Sequence, residues 1–179
     1  MSIRAAFHFH ALSVMLIACV SMVSGCDNRK SGDPASQVIG AWNVDVIMAS
    51  TSSMAYLVDG SVAVNKGDAF GENADDYPES GKLGSISTEA TSSLLKILLD
   101  PESYDWENQK SCIVTPGVKV SFHDSSHLVE IVFCFECDIL VVYRDNELIS
   151  TGNFDYAHGA LVEWLQREYP KNQLIQELR

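Results

Sequence analysis

The sequence predicts an α+β domain: an antiparallel β-meander with helices packed against it, in a single small domain. Residues 118–151 are a succession of short β-branched and aromatic runs separated by tight polar turns. Residues 87–99 and 155–165 instead place apolar side chains at helical spacing. Length agrees, because setting aside a leader of 25 residues leaves 179 − 25 = 154, a chain that buries about 68–70% of its unfolded surface around one core.

The leader comes first in the chain. Residues 1–10 carry one fixed positive charge, Arg4, and residues 11–20 are a short apolar run. That is the plan of a secretory signal, and the run is shorter than the roughly 20 apolar residues of a spanning helix. Residues 1–25 are therefore expected to be a signal peptide. At its end, Val23-Ser24-Gly25-Cys26 places an aliphatic residue and two small residues before a cysteine. This resembles the lipobox of bacterial lipoproteins. The resemblance implies cleavage before Cys26, a diacylglycerol on its thiol and an acyl chain such as palmitate on the new amino group. Two or more chains hold a protein stably where one binds only reversibly. The competing reading is an ordinary signal peptide with an incidental Cys26. Asp27 resembles the inner-membrane retention signal of enteric lipoproteins, so the expected location is the bacterial cell envelope, with Asp27 favouring the inner over the outer membrane.

Residues 27–37 are polar and contain Gly32 and Pro34, so residues 26–38 read as the lipidated cysteine and a flexible tether, and 39–179 as the domain. In residues 39–48, Trp42, Val44, Val46 and Met48 alternate, which predicts a first strand, with a short helix as the alternative. Residues 54–64 contain two β-prone runs joined by Asp59-Gly60, the signature of a hairpin. Residues 65–86 read as loop. The acids Asp68, Glu72, Asp75, Asp76 and Glu79 within it lack the register of a calcium-binding loop and are expected to be solvated.

A helix over 87–99 would turn Ala90, Leu94, Ile97 and Leu98 inward, start on a Ser87 or Thr88 cap and stop at Asp100-Pro101. The polar connection 100–111 carries Tyr104 and Trp106, both expected to be buried. Residues 118–122 alternate, 123–126 read as a turn, and 128–137 suit a central strand. Residues 139–144 continue as a strand that turns at Asp145-Asn146 and returns over 147–151. Asp155 can cap a helix with Ala157, Ala160, Leu161, Trp164 and Leu165 on one face, ended by Pro170. Residues 172–179 add a short terminal helix.

Twelve Lys+Arg oppose 24 Asp+Glu. Removing residues 1–25 removes only Arg4, leaving 11 against 24, a net charge of 11 − 24 = −13. A phosphate backbone repels such a surface, so no nucleic-acid partner is expected.

Five cysteines pose the chemical question. Cys19 leaves with the leader and Cys26 takes lipid, so Cys112, Cys134 and Cys137 remain. An exported chain meets an oxidising compartment in which one structural disulfide is expected. If the hairpin turns at Asp124-Ser125, His123 faces Ser126 and paired numbers sum to 249, which sets Cys112 opposite Cys137. Cys112 with Cys134 is the close rival. Either bond closes a loop worth roughly 3 kcal/mol. Cys134-Phe-Glu-Cys137 also reads as a redox pair, though such a pair wants its first cysteine at a helix start, and a strand follows here. Three thiolates with His123, His127 or Asp138 would make a zinc site, but no second two-cysteine knuckle accompanies them. Covalent haem fails because Asp138, not histidine, follows the second cysteine. Three inert buried thiols are the remaining reading. His158 reads as a helix-surface residue.

Cys112-Ile-Val-Thr-Pro116, then Cys134-Phe-Glu-Cys137, then Gly152-Asn-Phe-Asp155 and a helix ending at Tyr169-Pro170 resemble a group of small uncharacterised bacterial proteins with a C-F-x-C signature. The resemblance covers residues 112–170. It implies a shared meander-plus-helix domain and carries no mechanism. No Ser/His/Asp arrangement, phosphate-binding glycine loop or HExxH motif is legible. The expected function is therefore a membrane-anchored binding or interaction module without catalytic residues, resident metal or cofactor, partnered by an envelope protein or small ligand. The alternative is a thiol-redox or zinc-binding protein using Cys112, Cys134 and Cys137.

Overall fold

A computed structural model describes residues 34–59, 70–108, 110, 112 and 117–179, all within one compact unit, residues 32–179. Its centre is a six-stranded antiparallel sheet in the order β2-β1-β3-β4-β5-β6. The strands are β1 Ser52–Val58, β2 Glu79–Ser85, β3 Val118–His123, β4 Leu128–Cys134, β5 Ile139–Arg144 and β6 Glu147–Asn153. The helices are α1 Pro34–Ile39, α2 Ala41–Met48, α3 Thr88–Leu98, α4 His158–Glu168 and α5 Gln173–Gln176. The fold is the α+β meander with packed helices that the sequence predicts.

Strand alternation explains why both sheet faces are built as they are. Val118, Val120, Phe122, Val129, Ile131, Phe133, Leu140 and Val142 share the main core with Val46 of α2, Leu94 and Leu98 of α3, and Leu161 and Trp164 of α4. Trp164 Nε1 donates to the Ala90 carbonyl at 3.0 Å, tying α4 to α3. On the opposite face, Val58, Val132, Cys134, Ile139, Val141 and Tyr143 pack with Ala74 and Tyr77. The segment crossing there is pinned through its backbone: Tyr143 donates to the Gly71 carbonyl and the Gly71 N–H donates to the Tyr77 hydroxyl, each at 2.7 Å. Burial, then the Tyr77 hydroxyl, pushes the Tyr143 phenol well above its ordinary value. The same face buries Lys119 beside Glu130, 3.1 Å apart, with Glu79 at 3.5 Å and Ser121 donating to Glu130 at 3.1 Å. Those extra partners matter because a buried ion pair offsets its desolvation only with further hydrogen bonds.

Several sequence expectations change. Residues 41–48 are helix, not strand: the buried residues are Asn43, Val46 and Ile47, one helical face, while Trp42 and Met48 are exposed. Gly40 at φ 82° turns the chain between α1 and α2, and Asn43 Nδ2 closes the corner by donating to the Ile39 carbonyl at 2.6 Å. Residues 34–38, read as tether, are helical, with Ala35 and Val38 buried. The leader, Cys26 and residues 27–33 lie outside the described residues. So do residues 60–64, the expected second arm of the Asp59-Gly60 hairpin. The ladder positions of β1 are taken by β2 and β3.

Residues 79–85, read as loop, form β2, because pairing with β1 outweighs the low β-propensity of Gly, Ser and Lys. Of the acids expected to be solvated, Asp68 lies outside the described residues, Glu72 is exposed, and Asp75, Asp76 and Glu79 have partners. Asp76 accepts from the Asn73 N–H at 3.1 Å, and Asp75 exchanges hydrogen bonds with Asn146. Tyr104 is buried and donates to the Leu98 carbonyl at 2.7 Å, as expected, whereas Trp106 is half exposed, its Nε1 on the Pro101 carbonyl at 3.0 Å. Ser87 caps α3 by accepting from the Ala90 N–H at 3.1 Å.

Candidate functional site

The cysteines converge on the turn between β4 and β5. Cys134 is the last residue of β4 and pairs with Ile139, so residues 135–138 form a four-residue turn. Cys137, within the turn, stands at disulfide distance from Cys112, with Cα atoms 6.4 Å apart. That separation lies inside the range an unstrained disulfide spans. Cys134 lies outside this bond, fully buried among Val132, Ile139, Val141 and Tyr143, and Cys137 packs against the same cluster.

The pairing is the leading one of the sequence reading, but the register is not. His123 faces Leu128, so paired numbers in β3 and β4 sum to 123 + 128 = 251, not 249. Asp124 is the physical reason: its Oδ1 accepts from the Ser126 and His127 N–H groups at 2.6 and 2.7 Å, widening the turn to four residues. Those two backbone bonds hold the Asp124 carboxyl below its usual value.

A charged cluster surrounds the cysteine turn. Asp138 adopts φ 52°, in the left-handed region that Asp tolerates. Its carbonyl accepts from the Phe154 N–H at 2.8 Å, and its carboxylate meets His158 Nδ1. Lys110 Nζ lies 2.7 Å from Asp155, 3.8 Å from Asp138, and donates to the Cys137 carbonyl. Around them Phe135, Phe154 and the His158 ring form a cluster with centroids 5.6 to 6.5 Å apart, Phe135 edge-on to the other two.

His158, read from the sequence as a helix-surface residue, is partly exposed and held by contacts at both ring nitrogens. It opens α4 and spans two elements, since its Nε2 meets the Arg179 carbonyl at 2.6 Å. Both ring nitrogens therefore lie within hydrogen-bond distance of an oxygen of the chain. Asp155 is no helix cap: it starts a three-residue helical turn, α4 begins after Ala157, and one Asp155 oxygen is buried with no hydrogen-bond partner among the described residues. Ala160, expected on the inner face of α4, is exposed, and Val162 is buried instead. Lys110, Asp155 and His158 carry no sequence signal as a group, because residues up to 158 − 110 = 48 positions apart meet only through the sheet.

His123 and His127 stand at the far end of β4 from Cys134, six residues or about 20 Å along the strand. His127 Nδ1 bonds Asp145 at 2.9 Å, its ring meets Trp42 edge-on at 4.6 Å, and Arg144 lies 4.4 Å from the Trp42 ring centre. Neither histidine reaches the thiols. Among the described residues no group of three or more His, Cys, Asp or Glu side chains is arranged to hold a metal ion. The site as built is a stapled turn, fixed covalently through Cys137 and electrostatically through Asp138. No family model, curated protein or solved structure matches this chain.

Proposed function

We propose that this is a bacterial envelope lipoprotein, anchored by acyl chains on Cys26, whose disulfide-stapled domain is a non-enzymatic binding or interaction module. The observation that carries the reading is Val23-Ser24-Gly25-Cys26 at the end of a short apolar run. The stapled turn supports it, since such a bond persists in an oxidising compartment. Among the described residues no helix is long and apolar enough to cross a membrane; in this reading the lipid does the holding. Asp27 favours the inner membrane. The reading includes no resident metal or cofactor and no nucleic acid, the latter because the chain carries a net −12.

Cys26→Ser tests the anchor in bacterial cells. The natural chain should sediment with membranes and carry the added mass of its acyl groups; the variant should be released without that mass. Unchanged retention and mass would sink the proposal. The second reading, a thiol-redox protein, draws on Cys137 packing against the cluster that contains Cys134. It requires that the purified chain exchange disulfides with a small dithiol at a rate that Cys134→Ala removes.

A further inference from the structure

We infer that His158 is a pH-operated latch: as an imidazolium it ties Arg179, and with it the segment that follows α5, to the turn that carries Cys137, and loss of one ring proton lets that segment go. Two acceptors face one ring. Nδ1 meets the Asp138 carboxylate, and Nε2 lies 2.6 Å from the Arg179 backbone oxygen. An ionised carboxylate and a backbone oxygen only accept, whereas a neutral imidazole has a single N–H to give. Both contacts are hydrogen bonds at once only when both ring nitrogens carry protons.

Which contact yields on deprotonation follows from which partner can move. Asp138 is built into the stapled turn, next to the disulfide at Cys137 and with its own carbonyl held by the Phe154 N–H at 2.8 Å. Arg179 has no such frame, so the remaining proton stays on Nδ1 and Nε2 turns a lone pair towards an oxygen that also only accepts. The helix before it is held by groups that do not titrate near neutrality. Ile175 is buried, Gln176 Nε2 donates to the Gln166 carbonyl at 3.0 Å, and Gln166 Nε2 lies 3.4, 3.3 and 3.2 Å from the Ile175, Gln176 and Leu178 carbonyls. Release is therefore local: α5 stays docked while the chain after it frays.

The charges around the ring come from every element packed near it. The cysteine turn brings Asp138 and the exposed Glu136. Lys110, from the connection before β3, lies 3.8 Å from Asp138 and 2.7 Å from Asp155 of the short turn before α4. The segment itself brings Glu177 and Arg179, and on α4 the next ionisable residue is Glu163. On the α3 side, Lys96, Asp100 and Glu102 share a surface groove with Ala157 and Ala160. Phe135 and Phe154 flank the ring without charge. The latch requires neither the lipid anchor nor a bound partner, so its failure would leave the proposed anchoring untouched.

The test is NMR relaxation of the backbone amides of the full chain in detergent from about pH 5 to about pH 8, a window that brackets the value of about 6.5 for free imidazole and stays above that of about 4 for free carboxylic acids. The latch is closed at the acid end and opens as pH rises through the midpoint of His158. The order parameter of Arg179 should fall from about 0.85 to below about 0.6 across the window, while that of Ile175 stays high. This fall should share its midpoint with the titration of the His158 ring resonances. His158→Phe, which keeps a ring beside Phe135 and Phe154 and removes both N–H groups, should show the low Arg179 value at both ends of the window. Should that variant fail to fold, the shared midpoint in the natural chain carries the test by itself. An Arg179 order parameter that ignores pH, that changes at a midpoint other than that of His158, or that keeps its pH dependence in His158→Phe overturns the inference.

Discussion

Cys137 fixes its turn twice, through sulfur to Cys112 and through its carbonyl to Lys110. The bond closes a loop with a sequence separation of 25, for which loop-entropy reasoning gives about 3 kcal/mol. Cys112→Ser or Cys137→Ser should therefore lower stability by about that amount in denaturant unfolding, and reductant should lower the natural chain to the same level without further affecting either variant. Equal midpoints for natural and variant chains would refute a stapling role. At this scale the sequence was legible only in part. The pairing emerged from a hairpin sum that was wrong by two, because the Asp124 carboxylate, not the strand pattern, sets the turn length. Cys137 sits in the next turn rather than on the ladder, so the error did not reach it. The role of His158 was not legible, since its partners Asp138 and Arg179 lie 20 and 21 residues away.

Among the elements, β3 to β6 and the two long helices follow from period and turn residues. The failures cluster where tertiary contacts outweigh local preference. Residues 41–48 alternate as a strand would, yet Gly40 and the Asn43 bond to Ile39 fold them back as a helix. Residues 79–85 have little intrinsic tendency to extend and do so because β1 offers a partner. The docking of α1 depends on a missing side chain: a Cβ on Gly152 would stand 2.7 Å from Val38 Cγ1 and 3.0 Å from Tyr104 Cε1. Gly152→Ala in β6 should then cost about 1–3 kcal/mol by overpacking, read as a lower denaturant midpoint. Faster amide exchange in α1 should accompany it. A variant as stable as the natural chain would mean that α1 yields freely.

At the level of the whole molecule, one sheet organises two cores, and its strand order differs from its chain order. The strands β3 to β6 join neighbours through short turns, but Leu57 of β1 pairs with Val118 of β3, 118 − 57 = 61 residues later. Bringing such distant segments together carries a loop-closure cost that hairpins avoid. The consequence concerns time. When this chain is synthesised, N-terminus first, β1 arrives long before the strand that must receive it. The C-terminal meander should assemble as a template on which β1 and β2 later dock, with the cores closing last. Pulsed hydrogen exchange during refolding should protect the amides of β3 to β6 ahead of those of β1 and β2. Simultaneous protection would rule that order out. A chain that must wait in this way exposes Ala55 and Val58 of β1 until β3 has formed, and that interval is when it is most vulnerable to aggregation and proteolysis.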